Sequence, residues 1–139
     1  AAALESDVIV TCTPSKKFFL RREHVRPGTF VAAVGADNPE KQEIDPQLFA
    51  GNKVVADILS QCAEIGDLHH ALNAHTITQS QVHAELGELV ANKKAGRTTP
   101  REITIFDSTG TAIEDIAAAI VVYRKALQRG VGMKVNLAA

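Results

Sequence analysis

The sequence predicts an α/β fold with a mostly parallel sheet, flanking helices and a long helix near the C-terminus. Three observations lead to this prediction. Short β-branched segments alternate with helical segments, as in parallel sheets whose strands are joined by helices. The strand-like segments are apolar almost throughout, which is typical of strands covered on both faces. The 139 residues, 45% apolar and 22% charged, have the size and composition of one globular domain.

Residues 1–6 resemble the last turn of a helix, and four later segments are predicted strands. Each strand-like segment is short and rich in Val, Ile, Thr or Ala, and a Pro, Gly or Asp lies at its end or just beyond it. These segments are residues 8–13, 29–34, 53–57 and 103–107.

Helices are predicted between the strands. Asp45 as N-cap and Pro46 at the first helical position predict a short helix that stops near Gly51. Residues 58–72 predict a helix that is broken or weakened at Gly66. A further helix is predicted to begin at Ser80 as cap and to run to about residue 90.

The C-terminal helix, residues 110–129, has the clearest pattern. Acidic residues lie in its first turn and basic residues in its last, which matches the helix dipole. Gly130 is a natural residue to end it. Its apolar residues recur at steps of three or four and are Ile113, Ile116, Ile120, Tyr123 and Leu127.

Composition excludes several classes of function. A net charge of −1 gives no basic face for nucleic acid and no electrostatic attraction to a membrane surface. No apolar run approaches the roughly 18 residues of a membrane span. The N-terminus lacks the pattern of a signal peptide, and Cys12 and Cys62 are expected to be reduced, half-buried thiols, so we expect a cytoplasmic protein. The five histidines show no ligand spacing, and no metal site is predicted.

Candidate chemistry lies just after the strands, because ligands of open parallel sheets bind beyond the carboxyl ends. Gly35 would let a ligand approach the backbone. Asp37 could act as acid or base, with Lys41 tuning its pKa, although the same segment could be a turn with solvated charges. Ser108 and Thr109 could cap the last helix, face a ligand, or do both.

The phosphate-binding glycine motif of dinucleotide-binding domains, GxGxxG, is missing from the chain. The acidic residue that normally follows it and contacts the ribose is missing with it. No nucleophile motif is present either, so nucleophilic catalysis has no support in the sequence.

Four segments resemble the C-terminal part of the ornithine cyclodeaminase/mu-crystallin family, in order and in approximate spacing. Arg97 and the pair Gln61-Cys62 fit the same pattern. The second and fourth segments are specific to the family, whereas the helix patterns are not. The segments are SDVIVTCTPS (residues 6–15), VGADNPEKQE (34–43), AELGE (84–88) and ITIFDSTG (103–110).

The resemblance implies a partial Rossmann-like, doubly wound fold in which residues 1–139 are the C-terminal half of an NAD(P)-binding domain. Family members bind NAD or NADP and act on small amino or imino acids by cyclodeamination, ketimine reduction or alanine oxidation. The resemblance implies a catalytic and substrate-binding role for Asp37 and a substrate contact for Thr109. The implied cofactor-binding residues are Thr13, Val34, Gly35, Ala36, Asp37, Lys41 and Ser108.

The family's N-terminal substrate and dimerisation domain has no counterpart in the sequence. We therefore expect a fragment that is inactive alone, with one open sheet edge at its first strand. That edge predicts either a homo-oligomer or a longer protein that supplies the missing strands. A non-catalytic, mu-crystallin-like binding or oligomeric module is the alternative function, and an unproductive remnant is a third.

Overall fold

The computed structural model describes residues 2–136, and its main element is a parallel sheet of five short strands. The order across the sheet is β1-β2-β5-β3-β4, and every pair is parallel. The α/β class predicted from the sequence is therefore confirmed. The strands are β1 (Val8–Thr11), β2 (Phe30–Ala33), β3 (Lys53–Ala56), β4 (Ala84–Glu85) and β5 (Thr104–Asp107).

The middle of the sheet is β5, which pairs with both β2 and β3. Asp107, its last residue, lies opposite Ala33 of β2 and Ala56 of β3. Thr11 of β1 lies opposite Ala33 as well. The carboxyl ends of β1, β2, β5 and β3 therefore meet along one edge of the sheet.

The short helices agree with the sequence in most places. In α1 (Pro46–Phe49), the Asp45 side chain accepts a hydrogen bond from the Gln47 N–H, as a cap does. The predicted break at Gly66 is confirmed, because it separates α2 (Leu59–Ile65) from α3 (Asp67–Asn73).

The helix predicted from Ser80 to residue 90 is wrong. A 3-10 turn (Gln79–Gln81) leads into β4, and only α4 (Leu86–Val90) is helical. The His83 N–H donates to the Val54 carbonyl, and Ala84 pairs with Val55 of β3. Pairing with a strand far along the chain overrides the local helical spacing of Val82 and Leu86.

The core lies between the sheet and the short helices. Its side chains come from the middle strands, from α1 to α3 and from the segments that connect the elements. The largest fully buried apolar ones are Phe49, Ile44, Leu48, Leu68, Ile105, Val31 and Val54.

β1 departs from the prediction that all strands are covered on both faces. Val8 is 59% exposed and Val10 is 62% exposed. β1 lies at the end of the sheet, and within the described part of the chain it pairs with β2 alone. Among the described residues, β1 is thus an edge strand of the sheet, in the position that the sequence predicted.

A second compact unit begins at Gly110 and contains α5 (Ala112–Arg129). Gly130, at φ 62°, ends α5 in the left-handed conformation that glycine adopts without strain. The other chain end forms a 3-10 turn (Ala2–Glu5) where a helix tail was predicted, and Ala1 lies outside the described residues. Between residues 2 and 136, no helix is long and apolar enough to span a bilayer.

Candidate functional site

The predicted site residues follow three neighbouring strands, β1, β2 and β5, at their carboxyl ends. Thr13 follows β1, residues 34–37 follow β2, and Ser108 and Thr109 follow β5. Backbone hydrogen bonds extend the pairing beyond the strands, with Val34 N–H donating to Thr11 (3.0 Å) and Ser108 N–H to Ala33 (2.9 Å). All the predicted site segments therefore lie along one edge of the sheet.

Glu43, which the sequence did not single out, organises this edge. It is fully buried, and its Oε1 accepts a hydrogen bond from the Thr13 N–H (2.5 Å). Its Oε2 accepts one from the Gly35 N–H (3.0 Å). A Cβ atom at Gly35 would overlap this carboxylate, so the glycine makes room for Glu43. One buried carboxylate thus fixes the loops that follow β1 and β2.

Two more buried carboxylates hold the backbone around Glu43 through hydrogen bonds. Asp67 Oδ1 accepts hydrogen bonds from the backbone N–H groups of Glu43 (2.8 Å) and Ile44 (2.9 Å). Asp107 in turn accepts from the N–H groups of Asp67 (3.2 Å) and Leu68 (3.0 Å). The three carboxylates, Glu43, Asp67 and Asp107, are called the buried acid chain below. They connect the end of β5 to the loops beside the candidate site.

Burial raises the pKa of two members of the buried acid chain. It raises the pKa of Asp67 to about 6, although the N–H groups of Ile44 and Glu43 favour the charged form. It raises the pKa of Asp107 to about 8, with the nearby Asp67 carboxyl adding to the effect. Both groups therefore release their protons at a higher pH than an exposed carboxyl does.

Asp37, the predicted catalytic residue, forms an ion pair with Lys41 across 2.7 Å. The Lys41 ammonium lowers the pKa of Asp37, as the sequence suggested for this pair. The Asp37 side chain is 57% exposed and open to a ligand. The segment that follows Asp37 is also a turn, as the alternative interpretation predicted. The Asn38 side chain accepts hydrogen bonds from the N–H groups of Glu40 and Lys41. Asp37 is thus an accessible carboxylate on a well-defined turn.

Ser108 and Thr109 do not cap the last helix, so that interpretation of the two residues is wrong. The N-cap of α5 is Thr111. The Ser108 hydroxyl instead donates to Asp57 Oδ2 (2.8 Å), at the end of β3. The Thr109 N–H donates to the same oxygen (3.0 Å), and the Thr109 hydroxyl accepts from Gln61 (2.8 Å). From the sequence, Asp57 is recognisable only as an acidic residue at the end of a predicted strand.

Three other predicted site residues, Val34, Ala36 and Thr13, place little side-chain chemistry at the edge. Ala36 is buried and Val34 is partly buried. The Thr13 hydroxyl accepts a hydrogen bond from the Ser15 N–H (3.2 Å). The thiols are not both half-buried, because Cys12 is exposed and Cys62 is fully buried; both are free.

The described residues contain no group of three or more metal-ligating side chains placed to hold a metal ion. The edge instead offers an acidic group (Asp37), a cation (Lys41), hydroxyls and backbone.

Comparisons with known proteins identify relatives of this chain. The chain is 46% identical over 134 residues to an alanine dehydrogenase of Archaeoglobus fulgidus, covering 96% of this chain and 42% of that protein. The iminosuccinate reductase of Paracoccus denitrificans, solved in complex with NAD⁺, is 41% identical with a TM-score of 0.86, covering 96% of this chain and 41% of the other.

The Δ1-pyrroline-2-carboxylate reductase of Thermococcus litoralis, solved with NADH and L-proline, is 34% identical. Its TM-score is 0.89, over 96% of this chain and 42% of the other. The chain thus spans about two fifths of the length of the relatives it matches. The model of the ornithine cyclodeaminase/mu-crystallin family matches residues 1–130. The chain belongs to the ornithine cyclodeaminase/mu-crystallin family.

Proposed function

We propose that this chain provides the second half of an NAD- or NADP-binding domain, residues 1–139 including the helix after residue 110. The enzyme would transfer hydride to or from a small amino or imino acid, or cyclodeaminate an amino acid such as ornithine. The observation that carries this proposal is the gathering of Asp37, Lys41, Ser108 and Thr109 at the carboxyl ends of adjacent parallel strands. The dehydrogenase and reductases among the relatives support the same class of reaction.

The proposed roles follow from position and charge. Asp37 is the acid/base group and contacts the substrate, because its carboxylate is exposed at the edge and is held ionised by Lys41. Thr109 is the second substrate contact. The residues proposed to line the cofactor site are Thr13, Val34, Gly35, Ala36, Asp37, Lys41 and Ser108.

The chemistry divides between the cofactor and the chain. A bound nicotinamide would carry the hydride to or from the carbon next to the substrate nitrogen. In the oxidative direction, the Asp37 carboxylate would accept a proton from the substrate ammonium group or from water. The buried acid chain would keep the Thr13 and Gly35 loops in place around the ring.

A titration of the purified chain with NADH, followed by fluorescence, tests this proposal. We expect saturable binding in the micromolar range, and we expect Asp37→Asn to bind NADH with similar affinity. In the complete protein, Asp37→Asn should remove turnover of alanine, ornithine or cyclic imines, whereas Glu64→Gln, at an exposed position on α2, should not. Unchanged turnover in Asp37→Asn would contradict the assigned role.

The exposed edge of β1 supports a second candidate function, a non-catalytic binding or oligomeric module. Exposed Val8 and Val10 lie on an edge that could pair with another strand. Sedimentation over a range of concentrations separates the two functions. A concentration-dependent homo-oligomer with no NADH binding at millimolar concentration would favour the module. A cytoplasmic location is proposed for either function, in keeping with two free cysteines.

A further inference from the structure

The Asp57 carboxylate lies at the end of β3, beside Ser108, and receives hydrogen bonds on both oxygens. Oδ1 accepts from the Ile58 N–H (2.6 Å) and from the Cys62 thiol (3.0 Å). Oδ2 accepts from the Ser108 hydroxyl (2.8 Å) and from the Thr109 N–H (3.0 Å). Asp57 is 9% exposed, so these bonds are largely shielded from water.

The direction of the Ser108 hydrogen bond follows from its neighbours. A backbone N–H can only donate, and one reaches each oxygen of Asp57. Each oxygen of Asp57 therefore already accepts a hydrogen bond, and a carboxylate that only accepts leaves the donating role to Ser108. The hydrogen atom of the Ser108 hydroxyl therefore points at Asp57, although a serine hydroxyl can in general rotate to either role.

The Cys62 thiol agrees with this assignment. Burial raises the pKa of the thiol, with the nearby Asp107 and Asp57 carboxylates adding to the effect, so Cys62 keeps its proton. As a neutral S–H group it is one more donor to Asp57. Three other donors around one carboxylate thus leave Ser108 in the donating role.

With its proton directed at Asp57, the Ser108 hydroxyl can only accept a hydrogen bond from a ligand. Its oxygen has lone pairs, and among residues 2–136 the described hydrogen bonds include none donated to it. Its backbone N–H is bonded to Ala33, directly before the Val34–Asp37 turn, and 9% of the residue surface remains exposed at this edge. A ligand seated there would meet an acceptor and no donor.

We propose that Asp57 is a positioning residue that holds Ser108 as a hydrogen-bond acceptor, so that the site selects a ligand group carrying an N–H donor. This inference rests on the proposed function. Two ligand groups have that chemistry: the carboxamide of a nicotinamide ring and the nitrogen of an amino or imino acid. A carbonyl or carboxylate oxygen at the same place would face the Ser108 lone pairs and be disfavoured.

Paired ligands that differ only in the N–H donor test the proposal. The first pair is NADH and reduced 3-acetylpyridine adenine dinucleotide, in which a methyl ketone replaces the carboxamide. We expect the chain to bind NADH about 5- to 10-fold more tightly, the contribution of one hydrogen bond of this kind. Ser108→Ala should lose this preference, and Ser108→Thr, which retains a hydroxyl, should restore it.

The second pair separates the cofactor amide from the substrate nitrogen. L-proline and cyclopentanecarboxylate have similar shapes, but only proline carries N–H. If the substrate nitrogen is the donor, Ser108→Ala should weaken proline relative to cyclopentanecarboxylate and leave the cofactor ratio unchanged. Ser80→Ala, at an exposed position outside the site, is the control and should change neither ratio.

Asp57→Asn tests the positioning role directly. An asparagine places its NH2 group against a backbone N–H in either orientation, so the Ser108 proton is no longer fixed. In folded Asp57→Asn protein, the affinity ratio of whichever pair depends on Ser108 should fall toward the ratio measured for Ser108→Ala. If Asp57→Asn does not fold, the affinity ratios of the wild type, Ser108→Ala and Ser108→Thr still test whether Ser108 acts as the acceptor.

Three outcomes would overturn the inference. One is wild-type protein that binds both members of each pair equally. Another is that Ser108→Ala keeps the wild-type ratios of both pairs, and the third is that folded Asp57→Asn keeps both of them. NADH binding without any of the expected preferences would overturn the inference alone, whereas a complete protein that does not bind NADH would overturn the proposed function with it.

Discussion

Glu43 shows at the scale of one residue how this chain satisfies a buried carboxyl group with hydrogen bonds. Its carboxylate is fully buried and is hydrogen-bonded to two N–H groups from different loops. Such bonds offset the cost of removing a carboxylate from water. The residue thus contributes to the shape of the candidate site without facing a ligand.

Replacing Glu43 by Gln should therefore destabilise the fold. The amide keeps one acceptor but turns its NH2 group toward a backbone N–H that then lacks a partner. We expect a loss of roughly 2 kcal/mol of unfolding free energy, measured by urea denaturation. Glu64→Gln, on the surface of α2, is the matched control and should leave the midpoint unchanged. Equal midpoints for both variants would contradict the structural role of Glu43.

The sequence reveals exposed site residues more readily than buried ones. Asp37 and Lys41 could be paired from their spacing alone, because they are four residues apart on one turn. Glu43 and Asp67 resemble solvated loop charges, since their backbone partners lie up to 30 residues away. Only the folded chain brings those donors and acceptors together.

Gly66 shows, at the scale of an element, why α2 and α3 are separate helices. Its φ of −85° suits any residue, so conformational freedom is not the reason for glycine. A Cβ atom there would overlap the Asp107 carboxylate and come within 3.1 Å of Thr109 Cγ2. The glycine therefore lets α3 begin directly against the end of β5.

Gly66→Ala should accordingly displace the Asp107 carboxylate from the N–H groups of Asp67 and Leu68. We expect about 1–3 kcal/mol of destabilisation, the usual cost of overfilling a packed site. Gly87→Ala in α4, where no atom lies within 4 Å of the added methyl, is the control. It should be neutral or more stable by up to about 1 kcal/mol. Equal thermal midpoints for the two variants would count against the packing argument.

Among elements, the strands in the middle of the sheet were predictable and β4 was not. Residues 53–57 and 103–107 carry dense β-branched patterns that local sequence can identify. β4 has only two residues, and its extended conformation depends on pairing with β3. A helical spacing of apolar residues gave the wrong prediction there, because the partner strand lies about 30 residues earlier.

Stability of the whole molecule should depend on pH through the buried acid chain. The pKa values of Asp67 and Asp107 in the folded protein, about 6 and about 8, lie above the ordinary value of 3.8. The folded protein therefore binds more protons than the unfolded chain between about pH 4 and pH 8. Linkage then requires the unfolding free energy to fall as pH rises through this range.

Urea denaturation at pH 5, 6.5 and 8 measures that slope. Asp107→Asn removes one titrating group, so its slope should be shallower than that of the wild type. Asp37, Glu40 and Glu102 have lowered pKa values, so their contributions to stability are lost mainly below pH 5, the lowest pH of this series. Asp115→Asn, an exposed change of the same kind, should leave the slope unaltered. Stability that increases between pH 5 and pH 8 would contradict the argument.

The position of β5 has a consequence for the timing of folding. β5 lies between β2 and β3, yet among the described strands it comes last in the sequence. Ala33 can pair with Asp107 only after the 74 residues that end at Asp107 have been synthesised. Contacts this distant in sequence form slowly. The nascent chain therefore carries two unjoined parts of a sheet, β1 with β2 and β3 with β4, until the ribosome delivers the strand that unites them.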